Sequence, residues 1–336
     1  MTADPVRGQY RADIVVPCYE EEEALPQTVP VILDFFAGLL ADTGNRLGAF
    51  RLILVNDGSR DRTWQIIDEM ARRHDAVEGL KLSRNFGHQS AMLAGLSVAD
   101  GDVVITMDAD LQDDIAAIRD MIAAYEAGSH LALGVRADRS ADSTRKQGSA
   151  TAYYRLLSLM GINIIENHAD FRLMSRQALE ALKQYREVNL FLRGLIPTLG
   201  FPVTLVPYKR NPRNAGETKY TLRKMMRLAV DGITSFSIMP LRIIALVGAL
   251  IFAGTMIAAA FFLYMYLAHS RDVVPGWAST VLPLLFLGGM QLLSIGVLGE
   301  YVGKIYLETK RRPRFIVEQA TSQALADNAA AAARGV

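Results

Sequence analysis

The sequence is short of several residues and patterns, and each shortage excludes a class. Cys18 is the only cysteine in 336 residues, so no intrachain disulfide can form, which fits a reducing compartment. At the end of the first expected strand it reads as a small buried apolar residue rather than a nucleophile. No Gly-x-Gly-x-x-Gly follows that strand, and Gly-x-x-x-x-Gly-Lys-[Ser/Thr] occurs nowhere. Both absences argue against a dinucleotide-binding fold and a P-loop NTPase. The formal net charge is only +1, so the overall balance implies no nucleic-acid partner. Met1–Asp13 is polar and lacks a basic segment followed by an apolar core, so no secretory signal is expected there.

Apolar residues are plentiful at 51%, which is high for a soluble chain. Ile14–Pro17, Arg51–Asn56, Val77–Leu82, Val103–Met107 and Leu131–Val135 read as short buried strands. Helical spacing runs through Leu25–Leu40, Thr63–His74, a segment ending at Val98, and Ile115–Ala127. Strands alternating with helices of this length predict an α/β fold with a parallel, doubly wound sheet and right-handed crossovers. Asp108 and Asp110 stand just past the fourth strand, on the edge where open α/β sheets bind ligands. Two acids so close repel each other unless a cation lies between them. Hard oxygen ligands favour Mg²⁺ or Mn²⁺, often shared with substrate phosphates. The same pair also suits a solvated Asp-rich turn before the helix near Asp114. Tyr19 and Glu21 follow the first strand and Asp57 the second, so all three loops fall on one rim. A sheet built only for stability needs no acids gathered there.

A nucleotide bound on that rim needs its diphosphate charge balanced by a metal and by basic residues. Arg136–Arg155 is polar and basic and leads into an expected helix at Ala150–Met160. In Asn167–Met174 the alternation puts Asp170 and Arg172 on one side of an extended segment, and His168 reads as a partly buried structural residue before it reads as a base. Pro207–Arg227 holds seven bases against Glu217, and Leu222–Ile238 reads as an interfacial amphipathic helix facing anionic lipid. Ile243–Leu267 and Val273–Gly299 carry no charge, and about 20 apolar residues span a bilayer. Two transmembrane helices are therefore expected. Arg242, Lys304, Lys310, Arg311, Arg312 and Arg314 flank them on one side, which places both ends in the cytoplasm by positive-inside bias. Gly299 and Gly303 have Gly-x-x-x-Gly spacing, through which copies could form a homo-oligomer. The expected divisions are an α/β domain over 1–207, a basic loop and interfacial helix over 208–239, and membrane helices over 240–268 and 278–306. A cytoplasmic tail over 307–336, Ala-rich and poorly ordered from Ala320, completes them.

Several motifs occur together: Val16-Pro-Cys-Tyr-Glu-Glu21, Asn56-Asp-Gly-Ser59, Ser83-Arg-Asn-Phe-Gly-His-Gln89 and Asp108-Ala-Asp-Leu-Gln-Asp113 in the first half. Asp170-Phe-Arg172, Phe191-Leu-Arg-Gly194 and Gly216-Glu-Thr-Lys-Tyr220 follow. On these the chain resembles the family 2 glycosyltransferases of the GT-A (Rossmann-like) fold. More narrowly it resembles the polyprenol-phosphate glycosyltransferases, which include dolichol-phosphate mannose synthases and bactoprenol glucosyltransferases. The resemblance covers residues 10 to 318. It implies that Pro17, Tyr19, Glu21 and Asp57 hold the nucleoside, that Asn85 and Gln89 line the same pocket, and that Ala109 belongs to it. It implies that Asp108 and Asp110 bind the donor diphosphate through Mg²⁺ or Mn²⁺, with Gln112 a further ligand. Arg136, Arg145 and Ser149 would hold the phosphate of a polyprenyl-phosphate acceptor. Asp170 and Arg172 would face the sugar, and Arg210, Arg213 and Lys219 would close over the diphosphate. UDP-glucose is the first donor the resemblance suggests; UDP-N-acetylhexosamine, GDP-mannose and a modified aminoarabinose are alternatives. The family often has Asn where this chain has Glu20. A processive polysaccharide synthase is disfavoured, because neither Trp64 nor Trp277 sits in a Gln-x-x-Arg-Trp motif. A non-catalytic nucleotide-sugar sensor is disfavoured by the intact acid pair and basic loop.

Overall fold

A computed structural model describes residues 8–42, 44–137, 165, 168–185, 187, 192–209, 239–268 and 277–334. The chain divides into two compact units. One combines residues 1–154, 163–219 and 312–336; the other combines 155–162 and 220–311.

The first unit is built on an eight-stranded sheet. Its strands are β1 (Tyr10–Cys18), β2 (Leu47–Asn56), β3 (Val77–Leu82), β4 (Val103–Thr106), β5 (Leu131–Arg136), β6 (His168–Ser175), β7 (Val203–Tyr208) and β8 (Val317–Ala320). The order across the sheet is β7-β5-β6-β4-β1-β2-β3-β8. The helices are α1 (Leu25–Ala41), α2 (Thr63–Arg73), α3 (His88–Val98), α4 (Ala117–Glu126), α5 (Arg176–Lys183), α6 (Leu192–Thr198) and α9 (Gln323–Arg334). All five expected strands form, but the sheet is mixed rather than parallel. β6 lies between β4 and β5 and runs antiparallel to both, and β8 runs antiparallel to β3. A fully buried strand reads as a continuous apolar run in either direction, so hydrophobic pattern alone leaves the sense of β6 open.

Alternation within the strands divides the core between the two faces of the sheet. Ile14, Val16, Leu52 and Leu54 pack with α1, α2 and α4 on one face. Val15, Ile53 and Val55 pack with α3, α5, α6 and α9 on the other. The C-terminal segment therefore corrects the expectation of a poorly ordered tail. β8 covers the outer edge of β3, Thr321 Oγ1 accepts from Gly79 N at 2.8 Å, and Leu325 of α9 is fully buried. An Ala-rich helix buries little by itself; neighbouring α3 supplies the apolar wall that its composition does not reveal.

The two rims of the sheet differ in chemistry. At the N-terminal rim Asp13 is fully buried and accepts from Arg51 Nη2 at 2.6 Å and from Asp100 N and Gly101 N at 2.8 Å. That network is closed. At the C-terminal rim the chain turns sharply. Glu20 has φ 56° and Leu111 φ 49°, and Gly58 has φ 64°. Gly58 packs so closely on the next loop that a Cβ would lie 2.3 Å from the Arg84 carbonyl carbon. Residues other than Gly, Asn and Asp pay for the left-handed conformation. The Asn that the resembling family often places at position 20 is thus the residue this backbone favours.

The second unit contains α7 (Met239–Ala268) and α8 (Trp277–Thr309), of 30 and 33 residues. Among the described residues Phe286–Thr309 is long and apolar enough to cross a membrane, and Met239–Ile251 is a shorter apolar helical stretch. Large apolar side chains along both helices are open, including Ile257 at 71% and Leu292 at 73% exposure. The expected helices at 150–160 and 222–238 lie outside the described residues.

Truncation after Arg314 removes β8 and α9. It is expected to lower the apparent Tm by roughly 5 °C, because a buried leucine and a covered strand edge are lost. An unchanged melt would show that the segment does not fold onto β3 and α3. Glu20→Asn is expected to stabilise by about 0.5–1 kcal/mol by relieving the left-handed backbone, read as a small rise in apparent Tm. A lower Tm would mean that the Glu20 side chain carries compensating contacts.

Candidate active site

Three loops leaving the C-terminal ends of β1, β2 and β4 converge on one cleft of about 260 Å³. Pro17, Tyr19, Glu21, Asp57, Asn85, His88, Asp108, Ala109 and Asp110 are among its lining residues. The loops hold one another before any ligand arrives. Ser59 Oγ accepts from Glu20 N at 3.0 Å, and Thr63 Oγ1 accepts from Glu21 N at 2.9 Å. Thr28 on α1 donates to the Ala109 carbonyl at 2.7 Å. Asp57 is buried, and its two carboxylate oxygens accept from Phe86 N at 2.7 Å and Gly87 N at 2.9 Å. Its carboxylate therefore shapes the Ser83–Gly87 loop and, through it, the placing of Asn85 and His88. Asp110 Oδ1 accepts from Gln112 N at 3.2 Å and Asp114 Oδ1 from Ala116 N at 3.0 Å. The acidic loop is thus both a turn and a cleft wall.

Among the described residues that line the cleft, acids outnumber bases. Burial pushes the Glu21 carboxyl up to about 7, and Asp110, Asp108 and Asp61 add to the shift. Asp108 is also raised, first by burial; Asp113, Asp170 and Asp110 push it further, while His88 opposes them. Asp108 Oδ1 is sealed from solvent without a hydrogen-bond donor, whereas the side chain as a whole is 40% exposed. A buried acceptor left empty beside other carboxylates is where a cation fits. Among the described residues no three His, Cys, Asp or Glu side chains are arranged to hold a metal alone. Few protein ligands suit Mg²⁺, which shares its shell with phosphates and water.

Just behind this cleft Asp170 on β6 is 4% exposed and surrounded by cations. Arg172 Nη2 donates to its Oδ1 at 2.5 Å, Arg193 Nη2 to its Oδ2 at 2.7 Å, and His88 Nε2 stands 3.5 Å from Oδ2. Burial alone would raise its pKa; His88, Arg172 and Arg193 outweigh that and hold the carboxyl well below the usual range. Burial likewise lowers His88, but Asp170 and Asp108 outweigh it and hold the imidazole above its ordinary value. His88 Nε2 is 3.6 Å from Asp108 Oδ1, so it links the buried Asp170 cluster to the cleft.

The structure thus brings Pro17, Tyr19, Glu21, Asp57, Asn85, Asp108, Ala109 and Asp110 into one place. It puts other expected residues elsewhere. Gln89 Oε1 accepts from Leu192 N at 3.2 Å, at the start of α6, and Gln112 is 5% exposed and outside the cleft lining. Arg172 is fully buried behind Asp170, with its Nε 3.3 Å from Thr106 Oγ1, so it orients Asp170 rather than facing a ligand. Arg136 is half-buried at the end of β5. Arg145, Ser149, Arg210, Arg213 and Lys219 lie outside the described residues. His168 is buried and burial pushes its pKa down to about 3, in keeping with a structural role. Cys18 lines the cleft but is 1% exposed, and burial pushes its thiol upward, away from the reactive thiolate. His88 and Arg193 were not among the residues the sequence singled out. Both stand inside conspicuous motifs, Ser83–Gln89 and Phe191–Gly194, and those motifs were the available signal.

Comparison with known proteins identifies the family. Residues 13–183 match the family model described as glycosyl transferase family 2. The chain is 44% identical over 310 residues to the uncharacterized glycosyltransferase YkoT of Bacillus subtilis, covering 91% of this chain and 90% of that protein. It is 38% identical over 312 residues to the prophage bactoprenol glucosyl transferase homolog of Escherichia coli, covering 92% and 99%. Among solved structures it is similar to the mannosyltransferase PcManGT of Pyrobaculum calidifontis in complex with GDP-Man and Mn²⁺. That likeness has a TM-score of 0.43 and 15% identity, over 91% of this chain and 87% of the other. With its mixed α/β sheet, its ligand-side acid rim and its near-full-length relatives, the chain belongs to glycosyl transferase family 2.

Proposed function

We propose that the protein transfers a sugar, with inversion, from a nucleotide-sugar to a polyprenyl phosphate at the cytoplasmic face of a membrane. The convergence of Glu21, Asp57, Asp108 and Asp110 on one cleft carries the donor half of this reading. The relative named a bactoprenol glucosyl transferase homolog supports the acceptor half and makes UDP-glucose the first donor to test. Other UDP-hexoses, GDP-mannose and a modified aminoarabinose are the remaining candidates.

The nucleoside lies between Pro17–Tyr19 and Asn85, with Asp57 holding the Asn85 loop in shape. Asp108 and Asp110 face the diphosphate, with Gln112 behind them. Bound Mg²⁺ or Mn²⁺ would supply the positive charge that those carboxylates lack opposite a leaving diphosphate. Arg210, Arg213 and Lys219 add charge from the basic loop. Arg136, Arg145 and Ser149 take the acceptor phosphate. That phosphate is already anionic at neutral pH, so its oxygen attacks the anomeric carbon with little need of a general base. The bond to the nucleoside diphosphate breaks as the new one forms, and a single displacement inverts the centre. Asp170 stays ionised beside Arg172 and Arg193 and, held in place by them, orients the sugar.

The membrane reading is a two-helix hairpin. Chain connectivity supports it: residues up to 219 and from 312 onward belong to the same α/β unit, so an even number of crossings between them is needed. Arg242, Lys304, Lys310, Arg311 and Arg312 flank the apolar stretches and favour the cytoplasmic side. Assembly of copies through the Gly299–Gly303 face is a further proposal, and cross-linking in membranes tests it.

Membranes carrying the full-length protein are expected to label polyprenyl phosphate from radioactive UDP-glucose with added Mg²⁺ or Mn²⁺. Failure of every UDP- and GDP-sugar to label lipid would sink the reading. Asp110→Asn is expected to reduce labelling by at least about 10²-fold while leaving folding and membrane insertion intact. Near-normal transfer would remove Asp110 from the donor site. The raised Glu21 carboxyl gives a pH test. The folded state keeps this proton up to about pH 7, whereas the unfolded chain releases it lower, so stability falls as pH rises through 7. Without divalent cation, the apparent Tm is expected to drop from pH 6 to pH 8, and Glu21→Gln should flatten that drop. Equal slopes would show that Glu21 is ionised throughout.

A further inference from the structure

Outside the cleft one buried hydrogen-bond chain joins the elements around it. Tyr208 ends β7 and pairs in register with Arg136, which ends β5. Its hydroxyl donates to Asp113 Oδ1 at 2.6 Å and accepts from Arg136 Nε at 3.4 Å. Ala137 N donates to the Tyr208 carbonyl at 2.9 Å, so the backbones are tied as well. Tyr208 and Asp113 are 3% and 5% exposed. The ring fits because residue 134 is glycine: a Cβ there would lie 3.0 Å from Tyr208 Cε1 and 2.8 Å from the Phe171 carbonyl. Phe171 meets the ring edge-on, with centroids 5.4 Å apart. Asp113 closes the loop that carries Asp108 and Asp110, and Arg210 follows Tyr208 by two residues.

We propose that Tyr208 is a positioning residue that ties Arg136 to the Asp108–Asp113 loop, so that the acceptor phosphate is held in register with the donor diphosphate. The physical case is one of restraint. A half-buried arginine on a strand end has many rotamers, and a buried acceptor oxygen aimed at its Nε removes several of them. Tyr208 can accept from Arg136 in a fixed direction because its own proton is committed to Asp113. A phenylalanine fills the same space and supports the same backbone pairing, so the hydroxyl alone does the positioning. This inference rests on the reading of Arg136 as an acceptor-phosphate ligand.

The test uses the full-length protein in detergent, UDP-glucose as donor and polyprenyl phosphate as acceptor. Tyr208→Phe is expected to raise the KM for polyprenyl phosphate about tenfold, with the KM for UDP-glucose changed less than about twofold and Tm held. Combining it with Arg136→Ala should cost no more than Arg136→Ala alone. Phe171→Leu, which loosens the ring's packing but keeps the hydroxyl, should leave the ratio of the two KM values near wild type, so a matching rise in the acceptor KM there would also overturn the role. Equal rises in both KM values, or additive effects of Tyr208→Phe and Arg136→Ala, would overturn the role and leave Tyr208 as a packing residue. Wild-type protein that transfers no sugar to lipid phosphate would overturn the acceptor reading itself, and the role of Tyr208 with it.

Discussion

A buried carboxylate among cations organises the ligand side of this protein. Asp170 is 4% exposed and lies within hydrogen-bond or ion-pair reach of Arg172, Arg193 and His88. A lone charge at that depth costs several kcal/mol, and removing one partner of a buried pair leaves the other uncompensated. The arrangement constrains the fold. Thr106 Oγ1 donates to the Asp170 carbonyl at 2.6 Å and stands 3.3 Å from Arg172 Nε, so β4 and β6 are joined where the acidic loop begins. Asp108 follows Thr106 by two residues. Its place in the cleft therefore depends on β6 entering the sheet beside β4.

The cleft in front follows the opposite rule. Asp170 is neutralised by its own protein, whereas burial first, and neighbouring carboxylates next, push Glu21 and Asp108 toward protonation. Among the described residues acids outnumber bases there, and Asp108 Oδ1 has no hydrogen bond, with His88 Nε2 3.6 Å away. His88 stands between the two regions and faces Asp108 and Asp170 at similar distances. The N-terminal rim provides the contrast within the same sheet. There Asp13 is saturated by Arg51 and two backbone amides, and nothing is left for a ligand.

The chain crosses between its two units more than once. Residues 312–336 return to the α/β unit after α8, where they supply the strand that covers β3 and the helix that covers α3. A segment that looks like an accessory tail thereby becomes part of the core.

The sequence by itself determined the strands that carry the site, the acids at their ends and the apolar stretches that follow. These are local signals: a β-branched run, an Asp-x-Asp after it, a stretch without charge. Tyr19, Glu21, Asp57, Asp108 and Asp110 were legible as one rim because a strand end points its loop to a known edge of a sheet. The tertiary structure decided what local pattern cannot hold. It set the antiparallel sense of β6, the docking of β8 and α9, and the burial of Arg172 behind Asp170. It also drew His88 and Arg193 onto a carboxylate distant from them in sequence. Pairing between segments far apart in the chain depends on which surfaces meet in space, and the spacing of residues along one strand does not encode that. Electrostatic balance is likewise a property of the assembled rim, because a pKa answers to every charge within a few ångströms, whatever its position in the chain.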